Sequence, residues 1–160
     1  MLKDLTIVEF ADETASNSPA PGGGSIAALN ASMAASLLAM VAGLTIGKKK
    51  YMDVSDRMEE IQAELLKYKD EFVNGIDKDA NSFNGVMDAM KLPKETEEEK
   101  AKRSEKIQEG YRNAIEVPLG LGMKVTELYD FARELAEKGN SNAITDVAVA
   151  LLNIEAAVNG

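Results

Sequence analysis

Three features of the sequence predict an all-helical protein. No segment of useful length alternates apolar and polar residues with period two, which leaves strands without support. Two long segments instead carry apolar residues always three or four apart, the spacing of a helix face. Finally, Ser25 to Ile46 is a run of 22 residues without a charge, the composition of a helix buried among others. The expected architecture is long antiparallel helices in an orthogonal or up-down bundle around a central small-residue helix. The 160 residues suit one domain, 1–160, with a single sizeable core.

Along the chain, Leu2, Leu5, Val8 and Phe10 suggest a short first helix. It ends in the loop Ala15 to Gly24, which holds Pro19, Pro21 and three consecutive glycines. The uncharged run follows. On a helix, Ala28, Ser32, Ser36, Ala39 and Gly43 form one stripe and Leu29, Met33, Leu37, Met40 and Leu44 another. The run is long enough to span a membrane, and Lys48 to Lys50 resemble a basic anchor. Its polar Ser25, Asn30, Ser32, Ser36 and Thr45 argue instead for a buried core helix whose small stripe lets a neighbouring backbone approach closely.

From Met58 through Ile61, Leu65, Tyr68, Phe72, Ile76, Ala80, Phe83, Met87 and Met90 the spacing predicts one helix over 53–90, weakened at Asn74-Gly75. Pro93 ends it, and Thr96-x-x-Glu99 is a capping box for the next. There, Ile107, Tyr111, Ala114, Pro118, Leu121, Val125, Leu128, Ala132 and Leu135 keep one phase, which predicts a single helix kinked at Pro118 and stopped by Gly139. A last helix, capped by Asn140, Ser141 or Asn142, carries Ile144, Val147, Leu151, Ile154 and Val158.

Composition removes several functions. The chain has no cysteine and no histidine, so thiolate nucleophiles, Cys-ligated zinc and histidine-based triads are excluded. Any acid or base must be Asp, Glu, Lys or Tyr. A net charge of −9 with no basic stripe speaks against nucleic acid. The N-terminus, MLKDLTIVEFADE, has acids where a signal peptide has an apolar run, so a cytoplasmic protein is expected, not held in a membrane.

Candidate chemistry concentrates at four places. Pro21, Gly22, Gly23, Gly24 and Ser25 end a loop at a helix N-terminus, where free N–H groups favour a polar or negative ligand, and the Ser25 hydroxyl could cap the helix. Lys48, Lys49, Lys50 and Tyr51 sit at the other end of that helix, where cations also simply suit its dipole. At about 1.5 Å per residue the two ends lie roughly 33 Å apart, so one chain cannot bring them to one small ligand. A symmetric dimer with antiparallel helices could. Asp79 precedes Phe83 by four on the apolar side of its helix and is the first candidate for acid-base work. Asp77-x-Asp79-x-Asn81 resembles a calcium loop only superficially, because Ser82 occupies the place of the turn glycine; no metal is expected. Finally, Asn140, Asn142, Thr145 and Asp146 open the last helix, either as an ordinary polar cap or as donors and acceptors for a heterocycle.

In order, SPAPGGGSIAAL, LTIGKKKY, DKDANSFNGVMDAMKLPKET, AIEVPLGL and GNSNAITDVAVALL resemble the cyclodeaminase/cyclohydrolase family. It contains the cyclodeaminase domain of formiminotransferase-cyclodeaminase and free-standing methenyltetrahydrofolate cyclohydrolases. The resemblance implies an all-helical homodimer acting on a one-carbon tetrahydrofolate, and chains that usually continue past Val158-Asn159-Gly160. It also implies that the glycine loop, the lysines, Asp79 and the Asn-Asp cap belong to the folate site. Asp79 or Asp146 would then be the acid or base, while Lys48 and Lys49 would hold the glutamate tail or assist proton transfer with Tyr51; no cofactor is required beyond the tetrahydrofolate substrate. A different class of function is a non-catalytic helical dimer that binds folate or a protein partner.

Overall fold

The computed structural model describes residues 1–160 and is all-helical. Five α-helices run α1 (Ile7–Thr14), α2 (Gly23–Thr45), α3 (Ser55–Met90), α4 (Glu97–Lys138) and α5 (Ile144–Asn159), with 3-10 turns at Leu2–Asp4, Lys49–Val54 and Ser141–Ala143. The first helix differs from expectation. Thr6 and Glu9 form a capping box that starts α1 at Ile7, so Leu2 falls in a separate 3-10 turn and Leu5 between the two. α1 buries no residue.

α2 is the core helix and packs against α3, α4 and α5. It is long and apolar enough to cross a membrane, yet 56% of its apolar window is buried by the protein's other helices. The small residues explain this. Ala28, Ala31, Ala34, Ala35, Leu38, Val41 and Ala42 are fully buried, which brings neighbouring backbones close. The large stripe instead points outward, with Met33, Met40 and Leu44 each over 40% exposed. α5 with its 3-10 turn is also long and apolar enough to span, with 28% of the window buried.

Side-chain contacts give the directions. Gly24 adjoins Asp79, Gly75 adjoins Ala28, and Gln62 donates to the Ala39 carbonyl, so α3 runs antiparallel to α2. Asn140 meets Leu44 and Thr45 while Gly160 adjoins Ala27, so α5 is antiparallel to α2 as well. α3 and α4 form an antiparallel hairpin through Arg57 with Glu134, Tyr68 with Glu127 and Gly75 with Leu121.

α3 is unbroken at Asn74-Gly75. Gly75 is buried where α2 and α4 converge, and a Cβ there would stand 2.9 Å from Leu121 Cδ1. The sequence phase holds through Ala80 and then slips: Phe83, Met87 and Met90 are exposed, while Val86 and Ala89 are buried. The same half of α4 exposes Tyr111 and buries Gly110. The reason is local, since beyond the core only the two hairpin helices face each other, and Gly110 sets their contact at Val86. α4 continues through Pro118 as one helix. Gly139 ends it, its N–H donating to the Leu135 carbonyl at 2.9 Å. In α5 the buried positions are Val147, Ala150, Ile154 and Ala157, while Ile144, Leu151 and Val158 lie outside.

Candidate active site

α2 begins one residue after Gly22, which has no side chain to cap it. Ser25 is therefore not the cap but a first-turn residue, and its hydroxyl turns inward. Fully buried, it lies 2.9 Å from Asp79 Oδ2 and 3.2 Å from the Ile76 carbonyl, both acceptors for its single proton. The Asp79 carboxylate thus rests at the opening turn of α2, where free N–H groups and the helix dipole favour negative charge. Contact here is close. A Cβ on Gly24 would overlap the carboxylate, whereas one on Gly23 would meet nothing within 4 Å.

Beside this pair is a hollow of about 190 Å³ whose wall includes Pro19, Gly22, Gly23, Asp79, Phe83 and Ala114. The loop supplies one side, α3 the carboxylate and an aromatic ring, and α4 the third side. Pro21 is buried at the loop's end, behind the glycines. Apolar walls with one convergent carboxylate and exposed backbone at a helix start are the makings of a ligand site.

The second cluster lies at the C-terminal end of α2. The Ser141 amide donates to the Tyr51 phenol oxygen at 3.0 Å, and the two hydroxyls are 3.1 Å apart. Lys50 Nζ reaches Ser141 Oγ at 3.5 Å and stands 5.1 Å from the Tyr51 ring centre. These contacts, led by the Ser141 hydroxyl and amide and followed by Lys50, stabilise the phenolate and lower the Tyr51 pKa to about 8. Lys48 and Lys49 are exposed.

Asn140 has structural work at this end. Its amide N–H donates to Thr45 Oγ1 and its side chain donates to the Leu44 carbonyl, both at 2.9 Å, while its side-chain oxygen accepts from the Asn142 amide. It ties the α4–α5 turn to α2. Asn142 and Thr145 are exposed beside it, and Asp146 is half-buried in the first turn of α5. The expected residues therefore gather as two groups. Pro21 to Ser25 join Asp79 and Phe83 at the start of α2, and Lys48 to Tyr51 join the Asn140 turn at its end. At about 1.5 Å per residue, 23 residues of α2 hold them some 34 Å apart.

Three residues take roles that the sequence pattern does not give. Ser141 and Thr45 matter only because the fold sets them against Tyr51 and Asn140. Asp77 is more buried than Asp79, at 7% exposure, and lies on another side of α3. Its Oδ1 accepts the Leu2 N–H at 2.7 Å, and its Oδ2 is buried without a partner. A calcium-like spacing singles out both acids, and only packing tells them apart.

The formiminotransferase-cyclodeaminase family profile matches residues 6–160. The chain is 42% identical over 153 residues to the methenyltetrahydrofolate cyclohydrolase of Methylorubrum extorquens, covering 96% of this chain and 74% of that protein. It is 38% identical over 151 residues to the formimidoyltransferase-cyclodeaminase of Gallus gallus, covering 94% of this chain but only 28% of that longer protein. Its fold matches the crystal structure of formiminotetrahydrofolate cyclodeaminase from Thermotoga maritima with a TM-score of 0.84 and 30% identity, over 98% of this chain and 74% of that one. Over nearly its whole length, this chain belongs to the formiminotransferase-cyclodeaminase family.

Proposed function

We propose that the chain is a one-carbon tetrahydrofolate enzyme, which either hydrolyses 5,10-methenyltetrahydrofolate to the 10-formyl form or deaminates 5-formiminotetrahydrofolate to the methenyl form. The observation that carries this reading is the Asp79 carboxylate, oriented by Ser25 and exposed to a hollow walled by Phe83 and the glycine loop. Relatives that carry out either reaction favour an enzyme over a binding module.

The chemistry suits a carboxylate acting alone. The methenyl carbon joins N5 and N10 and carries positive charge, so it is already electrophilic. Asp79 accepts a proton from water as the oxygen bonds to that carbon. The carbon–N5 bond then breaks, the second water proton goes to N5, and the formyl group stays on N10. In deamination, N10 attacks the protonated formimino carbon, and the same carboxyl group moves the N10 proton to the departing nitrogen. The attack closes the ring, and loss of ammonia from the same carbon leaves the methenyl bridge. Asp146 is the second acid for this role, and neither reaction calls for an added cofactor.

In the same reading the chain forms one helical domain that pairs with a second copy in the cytoplasm, α2 lying antiparallel to its partner. The outward Met33, Met40 and Leu44 supply an apolar face for that pairing. Pairing would bring the lysine end of one copy to the glycine loop of the other, overcoming the separation along α2. Lys48 and Lys49 then meet the glutamate carboxylates, Asn142 and Thr145 flank the ring, and Tyr51 relays protons.

The test is the absorbance decay of 5,10-methenyltetrahydrofolate with purified protein, corrected for spontaneous hydrolysis, beside a formimino substrate. Faster methenyl loss identifies the cyclohydrolase and methenyl appearance the cyclodeaminase. No change in either, with folded dimer, would defeat the enzymatic reading.

A further inference from the structure

The groove between α3 and α4 holds a second hollow, of about 280 Å³, that the proposed chemistry does not use. Its walls are apolar, with Phe72 and Gly75 from α3 and Val117 and Leu121 from α4. Two exposed cations, Lys78 and Lys124, line it as well. Lys124 is paired with Glu71, which also lines the hollow, whereas Lys78 makes no ion pair or side-chain hydrogen bond in the structure. The hollow therefore carries one uncompensated positive charge, on a protein whose net charge is −9.

Its place relative to Asp79 follows from the antiparallel hairpin. Going back along α3 from Asp79 leads to Gly75 and Phe72, and going forward along α4 from Ala114 leads to Val117 and Leu121. Gly75 and Leu121 adjoin each other, so the two hollows follow one another in the same groove. From Asp79 to Phe72 is roughly 10 Å of helix. Helix side chains lean towards the N-terminus, so Lys78 reaches over the second hollow and away from the Asp79 carboxylate, whose own hollow it does not line.

We propose that this second hollow is the subsite for the benzoyl-glutamate arm of the substrate, with the ring against Phe72, Val117 and Leu121 and the α-carboxylate on Lys78. The proposal rests on the tetrahydrofolate reading above and deepens it. The arm leaves from N10, which is bonded to the bridge carbon, so it exits the Asp79 hollow as a flat apolar ring followed by an anion. The groove offers an apolar wall and then a free cation. Size agrees as well. At about 190 and 280 Å³, neither hollow reaches the roughly 300–1,000 Å³ that a whole drug-sized ligand fills, so each suits one part of an extended molecule. The outer γ-carboxylate is then the group left for Lys48 and Lys49.

The experiment measures KM and kcat on two substrates, the folate that the protein turns over and the matching pteroate, which keeps the benzoyl ring and lacks the glutamate. Lys78→Ala should raise KM for the folate roughly 3- to 5-fold, the upper end for an exposed ion pair, with kcat and the pteroate KM nearly unchanged. Lys78→Arg keeps the charge and should keep the wild-type values. Val117→Phe enlarges a half-buried wall residue and should raise KM for both substrates, since both carry the ring. Lys94→Ala, exposed between α3 and α4 and lining neither hollow, should change nothing. Equal effects of Lys78→Ala on both substrates, or none, overturn the proposal while the folate reading stands, as does a wild-type KM in Val117→Phe. A wild-type protein that neither binds nor turns over the folate overturns both.

Discussion

Ser25 donates its hydroxyl to Asp79 Oδ2 at 2.9 Å, joining residues 54 apart in sequence at the first turn of α2. The bond is buried on the serine side, so the carboxylate's place is set by packing.

Gly24 makes that place testable. Alanine at 24 forces the carboxylate aside, while alanine at 23 enters open space. Gly24→Ala should lower kcat by on the order of 100-fold, the cost of a misplaced catalytic group, and Gly23→Ala should leave folding intact with a much smaller effect. Steady-state rates with circular dichroism as the folding control check both.

Asp79→Asn keeps size and the contact with Ser25 but removes the base, and should reduce turnover by about 10²- to 10⁴-fold with an unchanged melting temperature. Asp146→Asn is the parallel test in α5. A normal rate in either variant removes that residue from the mechanism.

Tyr51 makes a pH prediction. Its folded pKa is lowered to about 8 from a usual 10, so between those values the unfolded chain binds more protons. The Tyr51 contribution to stability is absent below pH 8, grows through the window, and is complete above 10. The gap in melting temperature between wild type and Tyr51→Phe should therefore widen as pH rises. Tyr68 has the opposite sign, because the Glu127 carboxylate and burial raise it to about 12. In an ultraviolet titration Tyr51 should ionise before Tyr68.

Shared sites across a dimer predict complementation. Asp79→Asn and Lys49→Ala protein, each impaired, should recover about a quarter of wild-type activity when mixed and allowed to exchange subunits, because half the dimers are mixed and each holds one intact site. No recovery despite subunit exchange would place both residues in a site of one chain, or in separate sites.

Gly110→Ala tests the hairpin. A Cβ there would stand 3.2 Å from the Val86 backbone, which cannot yield as a side chain can. Overpacking of about 1–3 kcal/mol outweighs the gain in helix propensity, so thermal melting should fall by several degrees.

Much of this protein was legible along the chain because helical periodicity is a local property. Period, capping boxes and glycine or proline stops depend on residues within a few positions, so α3, α4 and their ends follow from the sequence alone. The same reading grouped Gly22 to Ser25 and marked Asp79, since charge and glycine are conspicuous in apolar surroundings. What local pattern could not settle was which stripe of α2 faces inward, because small and large residues are both apolar. Tertiary packing chose the alanines, since close helix approach buries more contacts than a methionine stripe at a wider spacing. It also separated Asp77 from Asp79, turned Ser25 from cap to partner, and set Ser141 against Tyr51, each across more than 50 residues of chain. Those pairings depend on how whole helices cross, a quantity that no window of sequence contains.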